Sequence, residues 1–235
     1  MADAVRDAMG GGTLYRYAER HPQARALAGR GVAYAVPLPN DVEHVVIRHN
    51  RHGGLLAPFT RDVFRAPTRA PMELQLSETL RARSVPTPLM LGYVTYDAAA
   101  GFQRADVMTR EVPDSADLSV ALRSDDARMR ERALSASAAI VRALSRAGAR
   151  HHDLNVKNIL LSGAHDVAPT AMVLDVDRVV FLTDGDAVLE ANLARLLRSA
   201  RKWQALHGAR VTDAELDAFA AAVREPAPLP LTTSS

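Results

Sequence analysis

The strongest constraint on the fold lies just past the middle of the chain. A long Ala/Arg-rich amphipathic pattern over residues 126–147 stops at Gly148, the residue type favoured just after a helix C-cap. The chain then reads His151-His152-Asp153-Leu154-Asn155-Val156-Lys157-Asn158 and runs directly into Ile159-Leu160-Leu161. A polar loop over 162–170, the apolar run AMVLDVDRVVFL and two helical patterns, roughly 187–206 and 213–224, follow. Helices with polar motifs on loops between short strands define this half.

The first half has a different texture. Residues 1–26 carry short helical patterns without a strong cap. Two β-prone runs between Leu27 and Arg48, around Pro39-Asn40-Asp41, read as a hairpin whose first strand follows Gly29-Arg30-Gly31. Residues 51–71 read as a loop, and 72–83 as a helix with Met72, Leu76 and Leu80 along its apolar face. Pro86 and Pro88 stop it, and LMLGYVTYD and FQRADVMTREV read as two further strands. The expected class is α+β, with a β-rich lobe over 1–112 and a helical lobe over 113–225. The stretch around 111–118 is a linker into a helix start, and 226–235 a disordered tail.

Composition narrows the chemistry. The chain has no cysteine, which excludes thiol nucleophiles and Cys-based zinc modules. No apolar run approaches the roughly 20 residues of a membrane span, and the N-terminus lacks a signal pattern, so a cytoplasmic location is expected. Only Lys157 and Lys202 are lysines among 29 basic side chains, so no mechanism can use a lysine before residue 157. The remaining 27 are arginines, but they are scattered, net charge is only +2 and aromatics are 5%, which argues against a nucleic-acid partner.

The frame H-x-D-L-x-x-x-N has a physical rationale. Asp153 can accept the proton of an attacking hydroxyl, while Asn158, five residues on, returns on the same loop to ligate a metal. Asn155 and Lys157 add polar contacts for the loop or for a transferred phosphoryl group. Seventeen residues after Asn158 comes Asp175, in Val173-Leu174-Asp175-Val176-Asp177, where a second magnesium ligand belongs. An H-x-D triplet alone is common, and a histidine such as His151 is more often packed or capping than chemical. The conjunction of loop, strand and D-V-D points to a kinase-type phosphotransfer site.

On these motifs the chain resembles the protein-kinase-like superfamily. Within it, the resemblance is to the bacterial lipopolysaccharide core kinases, closest to the 3-deoxy-D-manno-octulosonic acid (Kdo) kinases. Ile47-Arg48-His49, Arg51-His52-Gly53-Gly54-Leu55, Glu73, Ala105-Asp106-Val107-Met108-Thr109 and Asn192-Leu193-Ala194-Arg195-Leu196 carry the likeness beside the H-x-D-L-N string. It implies a two-lobed kinase-like fold and ATP-dependent phosphorylation of a Kdo hydroxyl, the 4-OH, in the lipid A–inner core of lipopolysaccharide. It also implies Mg2+ and a peripheral place at the cytoplasmic face of the inner membrane.

Carried over residue by residue, the resemblance makes Asp153 the base and Asn158 and Asp175 the magnesium ligands. Gly29 and Gly31 fall on the nucleotide loop, and Met108 opens an adenine hinge over 108–112. Arg48 stands where protein kinases have a strand lysine, paired with Glu73, and Lys157 completes the nucleotide contacts. The D-V-D motif departs from the family in its middle residue, which is usually aromatic. Arg51, His52, Arg61 and Arg65 are candidates for an anionic glycolipid headgroup. The competing readings are a heptose or aminoglycoside-type kinase, a pseudokinase, and a metallohydrolase on His151, His152, Asp153 and His165.

Overall fold

Two β-prone runs over residues 33–49, AYAVPL and HVVIRH, predict a strand pair, and that pair is the spine of the first unit. The computed structural model describes residues 9–27, 32–38, 44–50, 64–65, 67–98, 101–163 and 166–225. These divide into two compact units. One holds the described residues of Met1–Arg83, Thr87–Pro113 and Asp175–Asp177; the other holds those of Ser84–Pro86, Asp114–Leu174 and Arg178–Ser235.

In the first unit, β1 (Arg25–Leu27), β2 (Ala33–Pro37), β3 (His44–His49), β4 (Phe64–Arg65), β5 (Met90–Asp97) and β6 (Phe102–Arg110) form one antiparallel sheet. Tyr34 pairs with Ile47 across β2 and β3, and Ile47 with Met108 across β3 and β6. β5 pairs along the other edge of β6, from Met90 opposite Thr109 to Asp97 opposite Gln103. The short β4 lies in a segment whose sequence reads as loop; its two residues gain ladder bonds from β6 that no local pattern announces.

Each face of the sheet takes one helix. Helix α1 (Leu14–Arg20) buries Leu14 and Ala18 against Val36, Val45, Ile47 and Met108. The sequence shows no strong cap here, yet Thr13 provides one, its hydroxyl accepting the Arg16 amide at 3.1 Å. Helix α2 (Ala70–Ala82) corrects a second expectation. Its buried side is Ala70, Glu73, Ser77 and Leu80, while Met72 is 46% exposed. The apolar stripe through Met72 and Leu76 is rotated outward because the inner face carries a carboxylate with a cation to meet.

The second unit is built on α4 (Ala127–Arg146), whose strong amphipathic pattern buries Leu134, Ile140, Val141 and Leu144. Each such side chain contributes about 1.5–3 kcal/mol of apolar burial. Helices α5 (Gly185–Leu206) and α6 (Asp213–Arg224) pack on it, and α3 (Leu118–Leu122) precedes it. A three-stranded sheet runs β10 (Thr170–Val173), β9 (Ile159–Ser162), β7 (Ser115–Asp117). Strand β7 falls where the sequence reads as linker, so that stretch is built into the unit. The apolar run 171–182 likewise splits: a 3-10 turn at Val176–Arg178 separates β10 from β11 (Val179–Phe181), which pairs with β8 (Ala149–His151).

Gly148 is fixed by this pairing. Its φ is +66°, and a Cβ there would sit 2.3 Å from the Leu182 carbonyl oxygen. The Leu182 amide in turn donates to the Gly148 carbonyl at 2.8 Å, closing the β8–β11 register that delivers the chain to His151. Among the described residues, no helix is long and apolar enough to cross a membrane.

Candidate active site

The loop after β8 is held by its own polar side chains. The Asn155 and Asn158 amides both donate to the Asp153 carbonyl, at 2.9 and 2.8 Å. The Asp153 amide donates to Nδ1 of the fully buried His151 at 3.1 Å, and Nε2 of that ring contacts the Leu174 carbonyl at 2.9 Å. Those partners assign the proton to Nε2. With both ring nitrogens engaged by backbone groups, His151 is structural, which weakens the hydrolase reading; His165, which that reading also needs, lies outside the described residues. The spacing therefore works as a self-tying loop: Asn158, five residues on, folds back onto the backbone of Asp153.

Helix α5 backs the loop. Asn192, fully buried, accepts the His151 amide and donates to the Ala149 carbonyl, both at 2.9 Å. Ser199 accepts the Val156 amide at 3.2 Å. Arg195 Nη2 donates to Asp153 Oδ1 at 3.1 Å. Lys157 Nζ donates to Asp117 Oδ2 at 2.7 Å and lies 5.6 Å from the Trp203 ring centre. The sequence singles out Lys157 for nucleotide; its ammonium is held by a carboxylate on β7. Asn192 and Arg195 are visible beforehand only as a motif of the late helix, and Asp117 not at all, because nothing local marks contacts across some 40 residues.

The first unit holds the other half of the candidate residues. Arg48, on β3, donates to the Glu73 carboxylate on α2, the pairing the resemblance implies. Glu73 is 7% exposed at its side chain. Burial pushes its carboxyl above the ordinary range, Arg48 opposes this, and Asp177 and Asp175 reinforce it. For Arg48, burial disfavours the charge, but Glu73, Asp175 and Asp177 prevail and hold the guanidinium above its usual value. Arg69 donates to Asp177 at 3.3 Å.

Asp175 differs from its neighbours. Its φ is +53°, a left-handed conformation that aspartate tolerates at a cost and that concentrates at functional sites. It makes no hydrogen bond or ion pair among the described residues. Met108 is buried in the α1-side core with Leu14 and Ile47, so its side chain is a packing element of the sheet. Gly29 and Gly31, with Arg51, His52 and Arg61, lie outside the described residues, as does the Arg65 side chain.

A further cluster in this unit is visible in the sequence only through the strand motifs that carry His49 and Asp106. Asp106, 1% exposed, takes the Tyr15 amide at 2.8 Å and His49 Nδ1 at 2.6 Å, and His49 stacks on the Tyr15 ring at 3.7 Å. It anchors α1 to the sheet across 91 residues.

Comparison with known proteins decides the family. The family model for the lipopolysaccharide kinase (Kdo/WaaP) family matches residues 18–222. The chain belongs to that family. A 3-deoxy-D-manno-octulosonic acid kinase of Xylella fastidiosa (strain M12) is 32% identical over 201 residues, covering 83% of this chain and 74% of the relative. One from Vibrio vulnificus (strain YJ016) is 30% identical over 179 residues, covering 74% and 71%. Among solved structures, WaaP in complex with acyl carrier protein superposes with a TM-score of 0.55 at 19% identity, over 94% of this chain and 86% of that one. That likeness extends the α+β kinase fold over nearly the whole chain, and the family makes this chain a kinase.

Proposed function

We propose that this kinase transfers the terminal phosphoryl group of ATP to the 4-hydroxyl of Kdo in a lipid A–inner core acceptor. Its place of action is then the cytoplasmic face of the inner membrane, reached peripherally. The observation that carries the reading is the loop itself: three side chains and a buried histidine converge on the backbone and carboxylate of Asp153. Kinship with kinases named for Kdo supports the acceptor class. In this reading the Asp153 carboxylate accepts the hydroxyl proton as the hydroxyl oxygen bonds to phosphorus. The bond from phosphorus to the bridging oxygen breaks, and ADP leaves. Arg48, held by Glu73, grips phosphate oxygens in place of a lysine.

The donor chemistry within each unit suits magnesium. The Asp175 carboxylate in the first unit and the Asn158 Oδ1 in the second make no hydrogen bonds among the described residues, and each is a hard oxygen donor of the kind magnesium prefers. Arg48 and Arg69 face the three carboxylates Glu73, Asp175 and Asp177, leaving one negative charge in excess. The ion, when bound, neutralises charge on the phosphates; positioning falls to the protein.

The test is phosphosugar formation by the purified chain with Mg-ATP, offered Kdo-lipid IVA or a heptosylated acceptor. Asp153→Asn is expected to keep nucleotide binding and lose about two to four decades of turnover. Asp175→Asn is expected to lose metal-dependent nucleotide binding as well. Wild-type turnover by Asp153→Asn removes the mechanism. Preference for heptose reassigns the acceptor, and ATP binding with no transfer to either makes the chain a pseudokinase.

A further inference from the structure

One stripe of α5 follows the 151–158 loop along its length. Asn192, Arg195, Ser199 and Trp203 stand at i, i+3, i+7 and i+11, a spacing that keeps them on one side of a helix. Asn192 and Ser199 hold backbone groups, at Ala149, His151 and Val156, and Trp203 lies beside the Lys157 ammonium. Of the four, only Arg195 reaches the Asp153 carboxylate. The asparagine and histidine contacts to Asp153 act on its main chain, whereas Arg195 acts on the carboxylate itself. A charged hydrogen bond of this kind restrains the side-chain torsions.

We propose that Arg195 is a positioning residue for phosphoryl transfer, holding the Asp153 carboxylate in the rotamer that meets the acceptor hydroxyl. This rests on the reading of Asp153 as the base. Two features favour a role in the reaction over one in folding. The side chains are 40% and 32% exposed, and ion pairs so open to water contribute little to global stability. Arg195 Nε is also buried with no hydrogen-bond partner, an unfavourable arrangement of the kind proteins retain at functional sites. A carboxylate displaced by about 1 Å from its productive position loses on the order of a hundredfold in rate.

The experiment is a double-mutant cycle on the full chain with Mg-ATP and Kdo-lipid IVA. Arg195→Ala is expected to lower kcat by about 10- to 100-fold, with the KM for ATP and the thermal midpoint unchanged. Arg195→Lys, which keeps a donor and a charge, recovers part of the loss. In the Asp153→Asn background, Arg195→Ala costs nothing further, because the group it positions is gone. The proposal is overturned by wild-type kcat in Arg195→Ala, or by an equal loss in both backgrounds. It is overturned too by a loss that follows a fall in thermal midpoint and is not recovered by Arg195→Lys. Should the alanine variant not fold, Arg195→Gln and Arg195→Lys complete the same cycle. Asp153→Asn turning over like wild type defeats the base reading itself, and that outcome is distinct from all of the above.

Discussion

Replacing Arg48 with methionine isolates the electrostatics of the first unit. The substitution keeps an unbranched apolar stem and removes the guanidinium with its charge. Glu73, 7% exposed at its side chain, is then left beside Asp175 and Asp177 with its own cation gone. Removing one partner of a buried pair costs about 3–5 kcal/mol. Arg48 itself is 30% exposed, so some water already reaches the pair, and the lower end, about 3 kcal/mol, is expected. That is a large share of the roughly 5–15 kcal/mol of a typical domain.

The loss has a defined pH dependence. Burial holds the Glu73 carboxyl above its unfolded value, so its proton stabilises the folded state at low pH, and this contribution is lost as pH rises through the folded value. Without Arg48 the carboxyl moves further up. The Arg48→Met penalty is therefore large at pH 8 and shrinks toward pH 5. Glu73→Gln, which leaves Arg48 part-exposed and still facing Asp175 and Asp177, costs much less than Arg48→Met at pH 8. Urea unfolding can resolve the two units, because the five tyrosines, at 15, 17, 34, 93 and 96, all lie in the first and Trp203 in the second. A pH-independent penalty below about 0.5 kcal/mol in the tyrosine signal, or Glu73→Gln as damaging as Arg48→Met, refutes the reasoning.

Gly148→Ala imposes a left-handed alanine, about 1–2 kcal/mol, and drives a Cβ to 2.3 Å from the Leu182 oxygen, so the β8–β11 pair must shift. Loss of hydrogen-exchange protection at Leu182 together with lowered turnover is expected; unchanged protection contradicts it. At Glu215 of α6, burial pushes the carboxyl up but hydrogen bonds from Thr212 and Arg130 outweigh it and hold the group below its ordinary range; Arg224 of α6 likewise lowers Glu190 on α5. Both contribute stability above their unfolded values that is lost as pH falls through the folded ones, so the protection factors of the α6 amides, taken relative to intrinsic exchange at each pH, fall on acidification. Glu215→Gln flattens that dependence, and an unaltered acid profile in the variant counts against it.

Much of the architecture is legible in the sequence because its causes are local. β-prone runs bounded by turn residues mark β2, β3, β5 and β6, the long amphipathic pattern marks α4, and Gly148 marks its end. The 151–158 loop is legible for the same reason. Asn155 and Asn158 bond to a residue two and five positions away, so their spacing is itself the structure. Tertiary structure decides what depends on partners from elsewhere in the chain. Helix α2 turns Glu73 inward instead of Met72 because Arg48, 25 residues earlier, waits there, and a buried charge must be paired. Residues 115–117 form a strand only because β9 offers a free edge, and Asp117 then claims Lys157. Arg195 meets Asp153, and Asp106 meets Tyr15 and His49, only once helices and strands have packed. Hydrophobic periodicity tells which side of an element faces inward; which polar group it meets there is set by packing between segments distant in the sequence.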